Sequence, residues 1–143
     1  MAELFAGAKL LKNGGGEATG AVLEGKVVGI YFSAHWCPPC RGFTPVLKDF
    51  HAELEDGGEF EVVYVSLDRS EEDLQNYLKE SHGPWYYLAL NDPLVKELPT
   101  KFGVSGIPML VIVKPNGEVV TKNGRADVQG KPPAQALAAW KSA

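Results

Sequence analysis

The stretch Val27–Phe32 (VVGIYF), followed by Trp36–Cys40 (WCPPC), decides the fold of this chain. The first segment is a short run of β-branched and aromatic residues, which predicts a buried strand. From Cys37 to about Glu55, apolar residues recur at three- and four-residue steps, which predicts a helix with one buried stripe. Pro45 lies inside this pattern, and we expect a kink there because proline lacks a backbone donor. The two cysteines therefore lie where a strand leads into a helix.

Cys37 and Cys40 are the only cysteines of the chain, and their thiols can close and reopen a small disulfide. The attacking species in thiol–disulfide exchange is a thiolate, which unpaired N–H groups and the dipole at a helix N-terminus favour. Cys40 lies one turn further in, so we predict Cys37 as the nucleophile and Cys40 as the resolving thiol. A static disulfide and half of a zinc site are the alternatives. No zinc-finger spacing of histidines surrounds the pair, and we predict no metal site.

The neighbours of the cysteines shape the predicted site. Pro38 and Pro39 lack N–H groups, so they stiffen the ring between the thiols and remove donors that would stabilise a Cys37 thiolate. We expect Trp36 to shield the disulfide and to offer a flat surface to a partner, with ordinary packing as the alternative. His35 is expected to be an exposed bystander.

Length and charge limit the classes of protein that the chain can represent. Its 143 residues suit a single domain over residues 1–143 with a core of its own. A formal charge of −4 without a cluster of Lys and Arg argues against binding of nucleic acid. No segment approaches the ~20 apolar residues that span a bilayer, and Met1–Leu11 lacks the pattern of a secretory signal. One close cysteine pair suits a reducing compartment, so we expect a soluble protein of the cytoplasm or the nucleus.

Turn residues divide the rest of the sequence into short strands. Gly14–Gly16 predicts a loose hairpin connection, and Asn116–Gly117 predicts a tight one. The predicted strands besides Val27–Phe32 are Lys9–Lys12, Ala18–Val22, Phe60–Leu67, Met109–Val113 and Glu118–Thr121.

Capping signals mark two further helices. Ser70, with an acid three residues later, forms a capping-box pattern. Asp92 and Pro93 predict the start of a second helix, with Asp92 as the N-cap and Pro93 at the first helical position. Pro99 is expected to break or bend that helix. A last helix covers about Pro133–Trp140.

The elements follow one another in the order β-α-β-α-α-β-β-α after an N-terminal extended pair. Strands joined through helices become parallel neighbours, and the final hairpin adds antiparallel ones. We therefore predict an α/β fold with a central mixed sheet, helices on both faces and an N-terminal β-hairpin extension.

Ile107 and Pro108 lie between a glycine-containing loop and the predicted strand Met109–Val113. A proline at such a junction is a candidate for a cis bond, because the cis form of an X–Pro bond is only about 0.5–1 kcal/mol less stable than the trans form. A trans proline that begins a strand is the alternative.

Four stretches of the chain resemble the nucleoredoxin and tryparedoxin branch of the thioredoxin superfamily. They are Phe32–Pro45 (FSAHWCPPCRGFTP), Val65–Glu72 (VSLDRSEE), Gly106–Pro108 (GIP) and Gly117–Val120 (GEVV). The first is highly specific, and the other three support it. The resemblance implies a thioredoxin fold.

The resemblance also implies roles for individual residues. Cys37 is the implied nucleophile, Cys40 the resolver, and Pro108 a cis proline that faces the disulfide. The Ile107 backbone would then pair with an extended substrate segment, a form of strand addition. Arg125 matches an arginine that the family places near the site. It either attracts an acidic group of the substrate or only solvates the surface, and both interpretations stay open.

Two departures from the family pattern matter. Thioredoxin proper has a buried aspartate six residues before its first cysteine, where this chain has Tyr31. Another group or water must then transfer the proton during resolution. Trypanosomal tryparedoxins carry acids where this chain has Arg69 and Ser70. Those acids suit a polyamine-bearing thiol, so their absence favours a nucleoredoxin-like protein.

The predicted function is a protein-disulfide reductase that uses Cys37 and Cys40 and needs no cofactor. Its partners would be disulfide-containing proteins and a thiol electron donor such as thioredoxin reductase or glutathione, with no nucleic acid or membrane. A redox-gated binding module with an exposed aromatic surface around Trp36 and Trp85 is one alternative. A tryparedoxin that acts with a low-molecular-weight thiol is another, and a peroxidase is a weaker third.

Overall fold

The computed structural model describes Phe5 and residues 8–143 of the chain. The strands are β1 Lys9–Lys12, β2 Glu17–Thr19, β3 Val27–Ser33, β4 Phe60–Ser66, β5 Tyr86–Leu88, β6 Met109–Val113 and β7 Val119–Thr121. They form one sheet in the order β2-β1-β5-β4-β3-β6-β7. The helices are α1 Pro38–Leu54, α2 Glu71–Ser81, α3 Leu94–Lys101, α4 Gly124–Gly130 and α5 Pro133–Ser142.

β3 is the strand that positions the cysteines. All seven residues of β3, and all seven of β4, are buried. β3 pairs in parallel with β4 and antiparallel with β6. A strand covered on both faces has a nearly continuous apolar sequence, and this explains why Val27–Phe32 was recognisable. The predicted strand is confirmed.

Each face of the sheet has its own apolar core, because successive residues of a strand point to opposite faces. Val27 and Tyr31 pack with side chains of α1, α2 and α5. Val28, Ile30 and Phe32 pack with side chains of α3 and of the N-terminal segment. The prediction of a mixed sheet with helices on both faces is confirmed.

The helix starts agree with the capping signals to within one residue. Cys37 is the N-cap of α1, and Pro45 lies inside this helix without interrupting it, so the kink stays a prediction. The Ser70 hydroxyl caps α2, as expected. The Asp92 carboxylate accepts a hydrogen bond from the Leu94 N–H at 2.9 Å, but α3 begins at Leu94, one residue later than predicted. Pro99 does not break α3, which continues for two residues beyond it.

The predicted strand Ala18–Val22 is wrong in its second half. β2 ends at Thr19, whose hydroxyl accepts a hydrogen bond from the Ala21 N–H at 3.3 Å and begins a 3-10 helix over Gly20–Leu23. The hairpin of β1 and β2 is also more than an extension, since β1 pairs with β5 and joins the central sheet. The sequence pattern does not predict β5 or α4. These elements are three and seven residues long, too short to show a period.

Candidate active site

The two cysteines lie where the carboxyl end of β3 leads into α1. Cys37 is the N-cap residue, and Cys40 lies in the first turn of the helix. They form a disulfide with their Cα atoms 5.2 Å apart. Pro38 and Pro39 begin the helix, where a missing N–H removes no intrahelical hydrogen bond. Cys37 is 5% exposed and Cys40 is fully buried, so the relative depth of the two sulfurs agrees with the sequence-based prediction.

Two loops flank the disulfide on opposite sides, because β3 lies between β4 and β6 in the sheet. Leu67 from the loop after β4 and Ile107 from the loop before β6 pack against Ala34 and both cysteines. The Cys37 Sγ lies 3.8 Å from the Ile107 carbonyl oxygen. The Ile107–Pro108 peptide is cis. The cis bond beside the disulfide, which the resemblance implies, is confirmed.

Trp36 is an exposed aromatic residue beside the disulfide, with 50% of its surface accessible. Its indole Nε1–H donates to the Leu67 carbonyl oxygen at 3.1 Å. The Arg69 guanidinium lies over its ring, with Cζ 5.5 Å from the ring centroid. Both contacts hold the ring against the loop after β4, yet half of it faces solvent. Ordinary core packing does not describe this residue, and its role in binding a partner stays a prediction.

Arg125 reaches the site from α4. Its Nη1–H donates to the Pro108 carbonyl oxygen at 3.3 Å, and its Cζ lies 5.5 Å from the ring centroid of Phe43. The helix thus places a cation beside the loop before β6. Within the described part of the chain no carboxylate pairs with this guanidinium. Attraction of an acidic substrate group by Arg125 stays a prediction.

Asp68 lies in the loop after β4 and binds the segment between β3 and α1. The sequence analysis assigned this residue no role. Its Oδ1 accepts a hydrogen bond from the His35 N–H at 2.7 Å. Its Oδ2 accepts bonds from the Ser66 hydroxyl at 2.7 Å and the Tyr64 hydroxyl at 3.2 Å. Because His35 immediately precedes Trp36, the carboxylate fixes the backbone that leads into the dithiol. The contact joins residues 33 positions apart, so no local pattern signals it.

A chain of buried hydroxyl groups lies beneath Cys40. The Thr44 hydroxyl donates to the Cys40 carbonyl oxygen at 2.9 Å and lies 2.6 Å from the Tyr31 hydroxyl and 2.5 Å from the Tyr77 hydroxyl. The Tyr77 hydroxyl in turn lies 2.7 Å from the Ser33 hydroxyl. Burial raises the pKa of Tyr31 and of Tyr77, so both phenols stay protonated at neutral pH. The position of the thioredoxin aspartate is therefore occupied by a neutral hydrogen-bonding group.

His82 closes this polar cluster from the side of α2. Its ring lies 4.3 Å from the ring of Tyr64 and 4.3 Å from that of Tyr77. Its Nδ1 accepts a hydrogen bond from the Trp85 Nε1–H at 3.1 Å. Burial lowers the pKa of His82 to about 3. Trp85 is fully buried, so the predicted exposed aromatic surface around Trp85 is wrong. Its indole N–H has an internal partner, which allows complete burial.

The other two histidines each lie beside a glutamate. His35 Nε2 lies 2.5 Å from Glu80 Oε2, and His35 is partly buried, so the expectation of an exposed bystander is wrong. His51 Nε2 lies 2.9 Å from Glu61 Oε1. Among Phe5 and residues 8–143, no group of three or more Cys, His, Asp or Glu side chains could hold a metal ion. The same residues contain no helix of the length and apolarity that crossing a membrane requires.

Known proteins are similar to this chain in sequence and in structure. A family model described as thioredoxin-like matches residues 25–119. Nucleoredoxin of Mus musculus is 44% identical over 128 residues, which cover 88% of this chain but 29% of that protein. The chain thus spans less than a third of the length of this relative.

Solved structures agree with the family match. Thioredoxin from Wuchereria bancrofti is 54% identical, with a TM-score of 0.83 and coverage of 95% of both chains. A tryparedoxin II complexed with glutathionylspermidine is 37% identical, with a TM-score of 0.84 and coverage of 93% of both chains. The chain therefore belongs to the thioredoxin-like family, in which it is related to the thiol oxidoreductases nucleoredoxin and tryparedoxin.

Proposed function

We propose that this protein reduces disulfides of protein substrates by thiol–disulfide exchange through Cys37 and Cys40. The observation that carries the proposal is the cysteine pair at the end of β3, with Cys37 at the N-cap of α1 and Cys40 buried behind it. A helix N-terminus favours the thiolate over the thiol, and the thiolate is the attacking species.

The exchange begins from the reduced pair. The Cys37 thiolate attacks one sulfur of the substrate disulfide, the S–S bond of the substrate breaks, and the other sulfur leaves as a thiolate that takes up a proton. Cys40 loses its proton to solvent and attacks the Cys37 sulfur of the mixed disulfide. The Cys37–Cys40 disulfide forms and the second substrate thiol is released. Two electrons have then passed from the protein to its substrate.

We propose that the substrate binds along the rim of the dithiol. The Cys37 Sγ lies 3.8 Å from the Ile107 carbonyl oxygen, so a segment paired with the Ile107 backbone brings its own sulfur to Cys37. The half-exposed ring of Trp36 supports contact with the same segment. The proposed binding residues are Trp36, Pro38, Pro39, Ile107, Pro108 and Arg125.

A thiol donor must return two electrons to the oxidised pair, and thioredoxin reductase and glutathione are the proposed classes. Both steps use sulfur chemistry alone, so we propose no metal or organic cofactor. A low-molecular-weight thiol of the glutathionylspermidine type is a second donor candidate, which the complex of a related tryparedoxin II supports. Arg69 and Ser70 weaken it, because they supply no negative charge for a polyamine. The proposed compartments are the cytoplasm and the nucleus, where thiols are kept reduced.

Reduction of insulin in the presence of dithiothreitol tests the proposal. The wild-type protein should accelerate the reaction, and Cys37→Ser should return it to the uncatalysed rate. Cys40→Ser should accumulate a mixed disulfide with the substrate, because the resolving thiol is absent. Full activity of Cys37→Ser would overturn the proposal.

A redox-gated binding module is the second candidate function, and the exposed ring of Trp36 beside the disulfide favours it. Capture experiments with Cys40→Ser and Cys37→Ala separate the two functions. Many clients held through a disulfide by Cys40→Ser alone support the reductase. A single partner held equally by Cys37→Ala supports the binding module.

A further inference from the structure

The three arginines of the chain, Arg41, Arg69 and Arg125, all lie around the dithiol. Arg41 is exposed in the first turn of α1, directly after Cys40. Arg69 lies over the Trp36 ring, and Arg125 donates to the Pro108 carbonyl oxygen. The ion pairs found among the described residues use lysines and histidines, and none uses an arginine. A chain of net charge −4 therefore presents unpaired guanidinium groups at its candidate active site.

Arg69 and Arg125 lie on opposite flanks of the disulfide. Arg69 belongs to the loop after β4, and Arg125 contacts the loop before β6. Since β3 lies between β4 and β6, the cysteines at the end of β3 lie between the two arginines. An extended segment that crosses the dithiol thus meets a cation on each side.

No carboxylate of the described residues forms an ion pair with Arg69, and this includes Glu71, Glu72 and Asp73 in the first turn of α2. Asp68, the preceding residue, is buried and accepts hydrogen bonds from the His35 N–H and from the hydroxyls of Ser66 and Tyr64. Glu80 lies against His35 instead. Within Phe5 and residues 8–143 the exposed guanidinium of Arg69 has no ion-pair partner, so it can bind an acid from outside.

Stacking on Trp36 prepares Arg69 for this role. The Trp36 ring is held by its hydrogen bond to the Leu67 carbonyl oxygen, and the Arg69 Cζ lies 5.5 Å from the ring centroid. A guanidinium held over an aromatic face can still donate two N–H groups to the two oxygens of a carboxylate. The stacked side chain also has less rotational freedom to lose on binding.

We propose that Arg69, stacked on Trp36, binds a carboxylate beside the target disulfide and makes the protein select acidic protein segments. This inference rests on the proposed function, since it names the substrate class of the same dithiol. Arg69 is a specificity-determining residue in this scheme and takes no part in the exchange of sulfur bonds.

The test uses the reduced full chain and three peptides of one sequence, each with one intramolecular disulfide flanked by Asp, Asn or Lys. The second-order rate constant of a single exchange is followed by tryptophan fluorescence, so no electron donor is required. The Asp peptide should react about fivefold faster than the Asn peptide at about 20 mM salt, and the Lys peptide more slowly than both. At about 500 mM salt the three rates should converge, because exposed charges are screened.

Variants assign the preference to Arg69. With each rate taken relative to that of the Asn peptide, Arg69→Glu should reverse the order of the Asp and Lys peptides, and Arg69→Lys should keep part of the preference. Lys26→Glu is the matched control, because it changes the net charge equally. It lies just before β3, and the seven residues of that strand place it about 20 Å from the dithiol. This control should keep the wild-type order.

Two failures are distinguishable. If the wild-type protein reacts with none of the peptides, the proposed function fails. If it reacts with all three at the same rate, or if Arg69→Glu keeps the order, the function stands and the selection of acidic segments is wrong.

Discussion

Asp68 connects the loop after β4 to the segment between β3 and α1. Its carboxylate accepts a backbone N–H from His35 and two hydroxyl hydrogens, from Ser66 and Tyr64. Hydrogen bonds to an ionised acceptor are stronger than those between neutral groups. A buried donor without a partner destabilises the folded state. Asp68 therefore holds the segment that leads to Cys37.

We predict that Asp68→Asn lowers the free energy of unfolding by about 2 kcal/mol, because an amide nitrogen replaces one acceptor oxygen and faces a donor. Urea denaturation measures the change. Asp49→Asn, an exposed position on α1, is the control and should stay within about 0.5 kcal/mol of the wild type. An Asp68→Asn protein as stable as Asp49→Asn would contradict the assigned role.

At the scale of elements, α4 determines where Arg125 lies. The helix packs against β6 at Gly124, where an added Cβ would lie 2.9 Å from Ile112 Cγ1 and 3.0 Å from the Leu110 carbonyl oxygen. The carbonyl belongs to the central sheet and cannot move as a side chain does. Only glycine allows α4 to approach β6 closely enough for Arg125 to reach the Pro108 carbonyl.

Gly124→Ala should push α4 away from β6 and lower the free energy of unfolding by about 1–3 kcal/mol, since overpacking displaces backbone. Thermal and urea denaturation test this. Gly130→Ala in the same helix is the matched control, because its Cβ would meet nothing within 4 Å. It should be neutral or slightly stabilising. Equal stability of the two variants would show that the close approach at Gly124 does not contribute to the free energy of unfolding.

At the scale of the whole molecule, His82 links stability to pH. The side chain is buried against Tyr64, Tyr77 and Trp85, and burial lowers its pKa to about 3. An unfolded histidine has a pKa of about 6.5. The folded chain therefore keeps His82 neutral at pH values at which the unfolded chain has already taken up a proton.

Proton linkage gives the direction in which the free energy of unfolding changes with pH. Above about pH 6.5 neither state binds the proton, and between about 6.5 and 3 only the unfolded state does. His82 should therefore lower the free energy of unfolding by about 1.4 kcal/mol for each pH unit below 6.5. Urea denaturation at several pH values should show that the free energy of unfolding falls more steeply with decreasing pH for the wild type than for His82→Gln. The amide oxygen of the glutamine can still accept a hydrogen bond from Trp85.

His82→Phe serves as a second variant in case the glutamine protein is too unstable to measure. It cannot titrate either, so its stability should depend less on pH than that of the wild type. Identical pH dependence of all three proteins would contradict a depressed pKa for His82.

Local signals were sufficient for the centre of the fold. The apolar run Val27–Phe32 and the start of α1 at the cysteines depend on side-chain shape and on proline, which act within a few residues. The motif around Cys37 and Cys40 also carried the resemblance from which the cis Pro108 was expected. The chemistry of the dithiol follows from these neighbours alone.

Tertiary contacts decided the rest. β5 is a strand because it lies between β1 and β4, and α4 exists where Gly124 meets β6. Trp85 is buried because His82 supplies an acceptor for its N–H. The sequence alone thus determined which two thiols we propose as the redox pair, since the motif consists of residues next to one another. Only the tertiary structure decided what surrounds them, because the Asp68 bridge and the placement of Arg125 join residues distant along the chain.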